Sequence, residues 1–75
     1  MRFMHMMPLT FAGDGETNMI QRVGGTPEVR QHLQDLGFVP GTDVTVVTTN
    51  NGNLIVKIKE SRIAISREMA QKIMI

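Results

Sequence analysis

The chain has 75 residues, a net charge of +1, no Cys, three Phe and neither Trp nor Tyr. That length allows one small domain. The lack of cysteine excludes a disulfide framework and any thiolate metal site. A charge near zero speaks against a dedicated nucleic-acid binder, whose affinity rests on clustered Lys and Arg.

No apolar run reaches membrane-spanning length. His5 and Pro8 interrupt the Met-rich start, which makes a poor signal peptide, so a cytoplasmic protein is expected. Four of the seven methionines fall in Met1–Met7, a stretch with no helical or strand period. A flexible extension over 1–7 is expected, followed by an organised domain over 8–75. Met6 and Met7 stand as alternatives to Met1 for the translation start.

Leu9–Phe11 reads as a short strand closed by the turn-rich Ala12–Gly15. Asn18–Val23 reads as a second extended segment. Met19 and Val23 share a parity that Ile20 does not, which a β-bulge would reconcile. After Gly24–Gly25 comes a helix of about 11 residues, marginal alone and dependent on packing. Thr26 suits its N-cap, Pro27 its first position and Glu28 the positive end of its dipole. Val29, Leu33 and Leu36 form one apolar stripe at i, i+4 and i+7.

Gly37 then stands where a helix end tolerates φ > 0, and Phe38 stands where a side chain folds back on the last turn. Val39–Pro40–Gly41–Thr42 has the Pro and Gly placement of a type II turn. In the next hairpin, a three-residue loop Asn50–Asn51–Gly52 pairs Val46 with Val56 and Val44 with Ile58. A two-residue loop would set Val46 against Lys57, so the three-residue register is expected, with Gly52 in the left-handed position. A Glu60–Ser61 turn would pair Ile58 with Ile63 and Val56 with Ile65. Ser66 caps a helical turn over Arg67–Ala70, and Lys72–Ile75 forms the last strand. The expected fold is mainly β: a partly open barrel of five to six short strands, with one helix between early strands and a helical turn before the last.

Arg30-x-x-Leu33-x-x-Leu36-Gly37-Phe38-Val39-Pro40-Gly41-Thr42-x-Val44-x-Val46 resembles the FeoA family of SH3-like barrels. Ile63–Ile65 and Ala70 resemble its closing strand and helical turn, and the likeness covers 8–75. Family members commonly carry a Gly in the turn occupied here by Glu60–Ser61. The resemblance implies a cytoplasmic accessory protein of bacterial ferrous-iron uptake, acting with the membrane permease FeoB and its GTP-binding domain. The same barrel occurs as the C-terminal domain of diphtheria-toxin-repressor-type regulators. At this length a stand-alone barrel, without their DNA-binding and dimerisation domains, is expected.

On a helical wheel Glu28, His32 and Asp35 fall within roughly 60° of one another. One imidazole and two carboxylates are donors for Fe2+, Mn2+ or Zn2+, and a solvated helix face has the same composition. Met4–His5–Met6–Met7 offers soft ligands of the kind that suit Cu(I). Lys57, Lys59 and Arg62 form a basic strip, either for an acidic partner or as a solvated strand face. Aromatic rings for stacking bases or clasping polyproline are missing. No Ser/His/Asp set and no phosphate-binding loop occurs, so a non-enzymatic protein is expected. The corner Leu36, Gly37, Phe38, Val39, Pro40 and Gly41 is the expected partner contact, unless Phe38 only staples the helix end. The readings in order are a module modulating the FeoB permease, a transition-metal sensor or chaperone, and a small-barrel nucleic-acid binder. A barrel with open edges can also self-associate.

Overall fold

The computed structural model describes residues 6–75. Among the described residues six strands form two antiparallel sheets. Strands β1 (Thr17–Met19), β3 (Asp43–Thr49), β4 (Asn53–Ile58) and β5 (Ser61–Ser66) make one sheet in the order β1-β3-β4-β5. The other pairs β2 (Arg22–Val23) with β6 (Ile73–Met74). Helix α1 (Pro27–Asp35) connects β2 to β3, and the four-residue helix α2 (Arg67–Ala70) precedes β6. The mainly β class, the helix between early strands and the helical turn before the last strand are as expected.

Helix α1 has nine residues and begins where its caps dictate: the Thr26 hydroxyl accepts the Val29 N–H at 3.2 Å, and Pro27 opens the helix. Its apolar stripe packs inward. Leu33 is wholly buried, while Val29 and Leu36 lie half-buried against the same core. That core joins both sheets through Ile20, Val44, Val46, Leu54, Val56 and Ile73, with Phe38 the largest fully buried side chain. Removing a side chain of this kind from water stabilises by about 1.5–3 kcal/mol. Helix α2 is held by the same chemistry, the Ser66 hydroxyl accepting the Met69 N–H at 3.2 Å.

Three local expectations need correction and one is refined. Leu9–Phe11 is a 3-10 turn and not a strand. Leu9 and Ala12 are buried while Phe11 is 71% exposed, the spacing of three residues per turn and not of a pleat. In the second segment Ile20 and Val23 point inward and Met19 outward. Arg22 pairs with Met74 while the Gln21 N–H also bonds the Met74 carbonyl at 2.7 Å. Two residues therefore oppose one, the expected bulge, and it brings Ile20 and Val23 to one side.

The β3–β4 core pairs are the expected ones, Val44 with Ile58 and Val46 with Val56. The tip differs: Thr49 pairs with Leu54, and the Asn50 N–H bonds the Asn53 carbonyl at 2.8 Å, leaving a two-residue Asn51–Gly52 loop. The register shifts between Val46 and Thr48. A bulge at Val47 thus absorbs the residue that the longer loop was expected to take. The β4–β5 register is two residues from expectation: Ile58 pairs with Ser61, Val56 with Ile63 and Leu54 with Ile65. The turn is therefore Lys59–Glu60, with Lys59 at φ 55°. A slip of two keeps every side chain on its own face, so alternation cannot tell the two registers apart.

Candidate functional site: the helix corner and the groove beside it

The corner after α1 is built by the backbone. The Phe38 N–H bonds the Leu33 carbonyl at 2.9 Å, the Gly37 N–H bonds the Gln34 carbonyl at 2.9 Å, and Gly37 has φ 108°. This is the Schellman arrangement, which satisfies carbonyls that a helix end leaves without partners. One step on, the Thr42 N–H bonds the Val39 carbonyl at 3.2 Å and Gly41 sits at φ 91°, as a type II turn requires. The Gly41 N–H to Ile20 carbonyl and Ile20 N–H to Thr42 carbonyl bonds, both 2.8 Å, tie the turn to the segment between β1 and β2. The Phe38 ring is wholly buried and staples the helix end. Leu36, Gly37 and Val39 are half-buried, and Pro40 and Gly41 face solvent. Outward contact at this corner falls to Val39, Pro40 and Gly41.

Beside the corner runs a groove of about 400 Å³. Pro27, Arg30, Gln31 and Gln34, one face of α1, form one wall, and Gln21, Arg22 and Val23 form the other, with Pro40 at the edge. Among the described residues no carboxylate lines it. None of the side-chain hydrogen bonds among the described residues engages either guanidinium. Pattern reading passed over this site because its two arginines belong to different elements. The signal it could have used is the uninterrupted polar face Pro27/Arg30/Gln31/Gln34, which carries no acid.

The opposite flank of α1 holds Glu28, His32 and Asp35, all exposed. No group of three or more His, Cys, Asp or Glu side chains among the described residues is placed to hold a metal ion. A wheel projects out the rise: Glu28 and Asp35 stand about 10 Å apart along the axis, against metal–ligand bonds of about 2 Å. Asp35 instead accepts a hydrogen bond from the Gln31 amide at 2.9 Å. Of the Met-rich ligand set, Met4 and His5 lie outside the described residues. Met6 and Met7 are exposed, and Met7 exchanges backbone hydrogen bonds with Ile75 at 3.0 and 2.8 Å.

Lys57 and Arg62 are cross-strand partners on the exposed sheet face, and Lys59 stands in the adjoining turn. Elsewhere, Glu16 is held below the ordinary glutamate range, first by the Asn18 amide donating at 2.7 Å and then by the Gly13 N–H at 3.0 Å. These bonds tie down the loop before β1 and touch neither groove nor corner. No helix among the described residues is long and apolar enough to cross a membrane.

The fold and surface define a small β-barrel module whose distinctive features are a rigid corner and a cationic groove. The FeoA domain model matches residues 7–75, and the chain belongs to the FeoA family. The candidate Fe(2+) transport protein A of Methanocaldococcus jannaschii is 36% identical over 70 residues, covering 93% of this chain and 85% of that protein. A crystal structure of an iron uptake regulatory protein (FeoA) superposes with a TM-score of 0.85 at 27% identity, covering 95% of each chain. The zinc-complexed FeoA of Stenotrophomonas maltophilia, described as a procaryotic SH3 domain protein, superposes with a TM-score of 0.77 at 21% identity. That alignment covers 87% of this chain and 84% of the other. Family membership places the protein in ferrous-iron transport.

Proposed function

We propose that the protein is a non-enzymatic accessory module of ferrous-iron uptake that works in the cytoplasm. It modulates a FeoB-type membrane permease by docking on that permease's GTP-binding domain. The observation that carries this reading, beside family membership, is the corner. It is held by backbone hydrogen bonds and a buried ring, yet presents Pro40 and Gly41 to solvent. A preorganised surface loses little entropy when a partner settles on it. Iron is the cargo of the transport system in this reading. The metal-sensor alternative draws on the zinc-complexed relative, and the spread of Glu28, His32 and Asp35 gives it no site on α1.

The test is ferrous-iron uptake in cells that carry the permease and either the wild-type chain or Pro40→Glu. Proline and glutamate both fit the second position of a type II turn, so the fold survives while the contact surface changes. Uptake should fall to the level of cells lacking the protein. Unchanged uptake with the variant expressed and folded would remove the corner from the contact.

A further inference from the structure

The groove beside the corner is half of a longer feature. On the other side of Arg22 lies a second depression of about 330 Å³, lined by Met6, Gly24, Gly25, Gln71, Lys72 and Met74 together with Arg22 itself. The two depressions share the Arg22 side chain and run past three cations, Arg30, Arg22 and Lys72. Among the described residues neither lining contains a carboxylate. In a chain whose net charge is only +1, this leaves local positive charge that the site itself does not neutralise.

From this we infer that the track is the docking site for an extended acidic segment of a protein partner. Its carboxylates pair with Arg30, Arg22 and Lys72, and an apolar side chain settles between Met6 and Met74. Charge complementarity chooses the occupant. Guanidinium groups take carboxylates through paired N–H donors, and methionine thioethers adapt to apolar side chains of varied shape. The amides of Gln21 and Gln34 supply both donors and acceptors, which suits a peptide backbone. A nucleic acid fits less well, since no aromatic side chain among the described residues lines either depression to stack a base.

The inference deepens the reading of the protein as a docking module by naming the chemistry of what docks. Its test uses the full chain, labelled with nitrogen-15, and two capped pentapeptides, Asp-Glu-Leu-Glu-Asp and its amide counterpart Asn-Gln-Leu-Gln-Asn. The acidic peptide should give saturable shifts at residues 21–24, 27–34 and 71–74, weakening as salt is raised. Arg22→Gln should weaken binding roughly fivefold or more, because both halves of the track lose a charge. Lys57→Gln, on the sheet face, should leave it unchanged. The inference is overturned by equal binding of the amide peptide, by shifts centred on Lys57 and Arg62, or by the absence of saturable shifts. Tighter binding of oligo(dT) at the same residues would hand the track to nucleic acid. A parallel measurement with the permease's GTP-binding domain separates the two claims. If that domain binds wild type and Arg22→Gln alike, the track is wrong and the partner right. If the acidic peptide binds and the domain does not, the track stands and the partner is another protein.

Discussion

Two turns reverse the chain on either side of the β3–β4 hairpin, and they are held in opposite ways. The corner at Gly37–Thr42 places glycine at both positive-φ positions and buries Phe38 completely beneath it. The Lys59–Glu60 turn places a lysine at φ 55°, the only non-glycine residue with positive φ among those described. The corner is thus specified by its own residues and can impose geometry on β3. The second turn is specified by the strands it joins, six continuous pairs from Asn53↔Ser66 to Ile58↔Ser61, and its backbone accepts the conformation they require. A partner-binding surface suits the first kind of turn, since its own glycines and the Ile20 hydrogen bonds hold its shape without strain.

Phe38→Ala probes the buried half of the corner and should have the largest effect. Removing a wholly buried aromatic ring costs about 3–5 kcal/mol, the transfer term plus the cavity. For a domain of this size that is a large part of the whole stability, so urea unfolding should show a midpoint far below that of the wild type. A loss near 1 kcal/mol would mean that the corner is held by its hydrogen bonds and not by the ring.

Gly37→Ala separates conformation from packing at the same place. A Cβ there would approach only Ile58, at 3.9 and 4.0 Å, which is ordinary contact. The cost is then that of holding an L-residue at φ 108°, roughly 1–2 kcal/mol. Gly25→Ala makes the harsher companion. It combines φ 97° with a Cβ 2.7 Å from Lys72 Cδ and 3.2 Å from Val29 Cγ1, so it should cost more in the same unfolding assay. Equal losses for the two would show that the Lys72 side chain moves aside freely.

The same contrast explains what could be read from the amino-acid order. Thr26–Pro27, Gly37–Phe38 and Pro40–Gly41 each carry a local steric or hydrogen-bonding signature, so the helix limits and the corner were legible. Leu9–Phe11 was not, because a three-residue apolar-polar-apolar segment fits a pleat and a 3-10 turn equally until the burial of Ala12 decides. The β4–β5 register was hidden because a two-residue slip preserves alternation, and no turn residue with φ > 0 preference marked Lys59. The candidate site was only half legible. Pro40 and Gly41 came with the corner, whereas the groove forms only once β2 packs beside α1. The Glu28, His32 and Asp35 grouping shows a limit of the wheel, since angular proximity on a helix ignores separation along its axis.

The smallest expected effect tests the weaker turn. Lys59 occupies the first central position of a two-residue hairpin loop at positive φ, the place where a type II′ turn takes glycine. Lys59→Gly relieves the left-handed penalty, roughly 1–2 kcal/mol, and returns about 0.4–1 kcal/mol through the freer unfolded chain. The net should be a gain of a few tenths to about 1 kcal/mol, visible as a higher urea midpoint with an unchanged slope. Lys59→Asn removes the same charge, tolerates the left-handed region and lacks most of the unfolded-state cost, so it should stabilise as well. If both variants destabilise, the lysine side chain contributes contacts that outweigh its backbone strain. The turn would then be specified by its own residue after all, and the contrast with the corner would close.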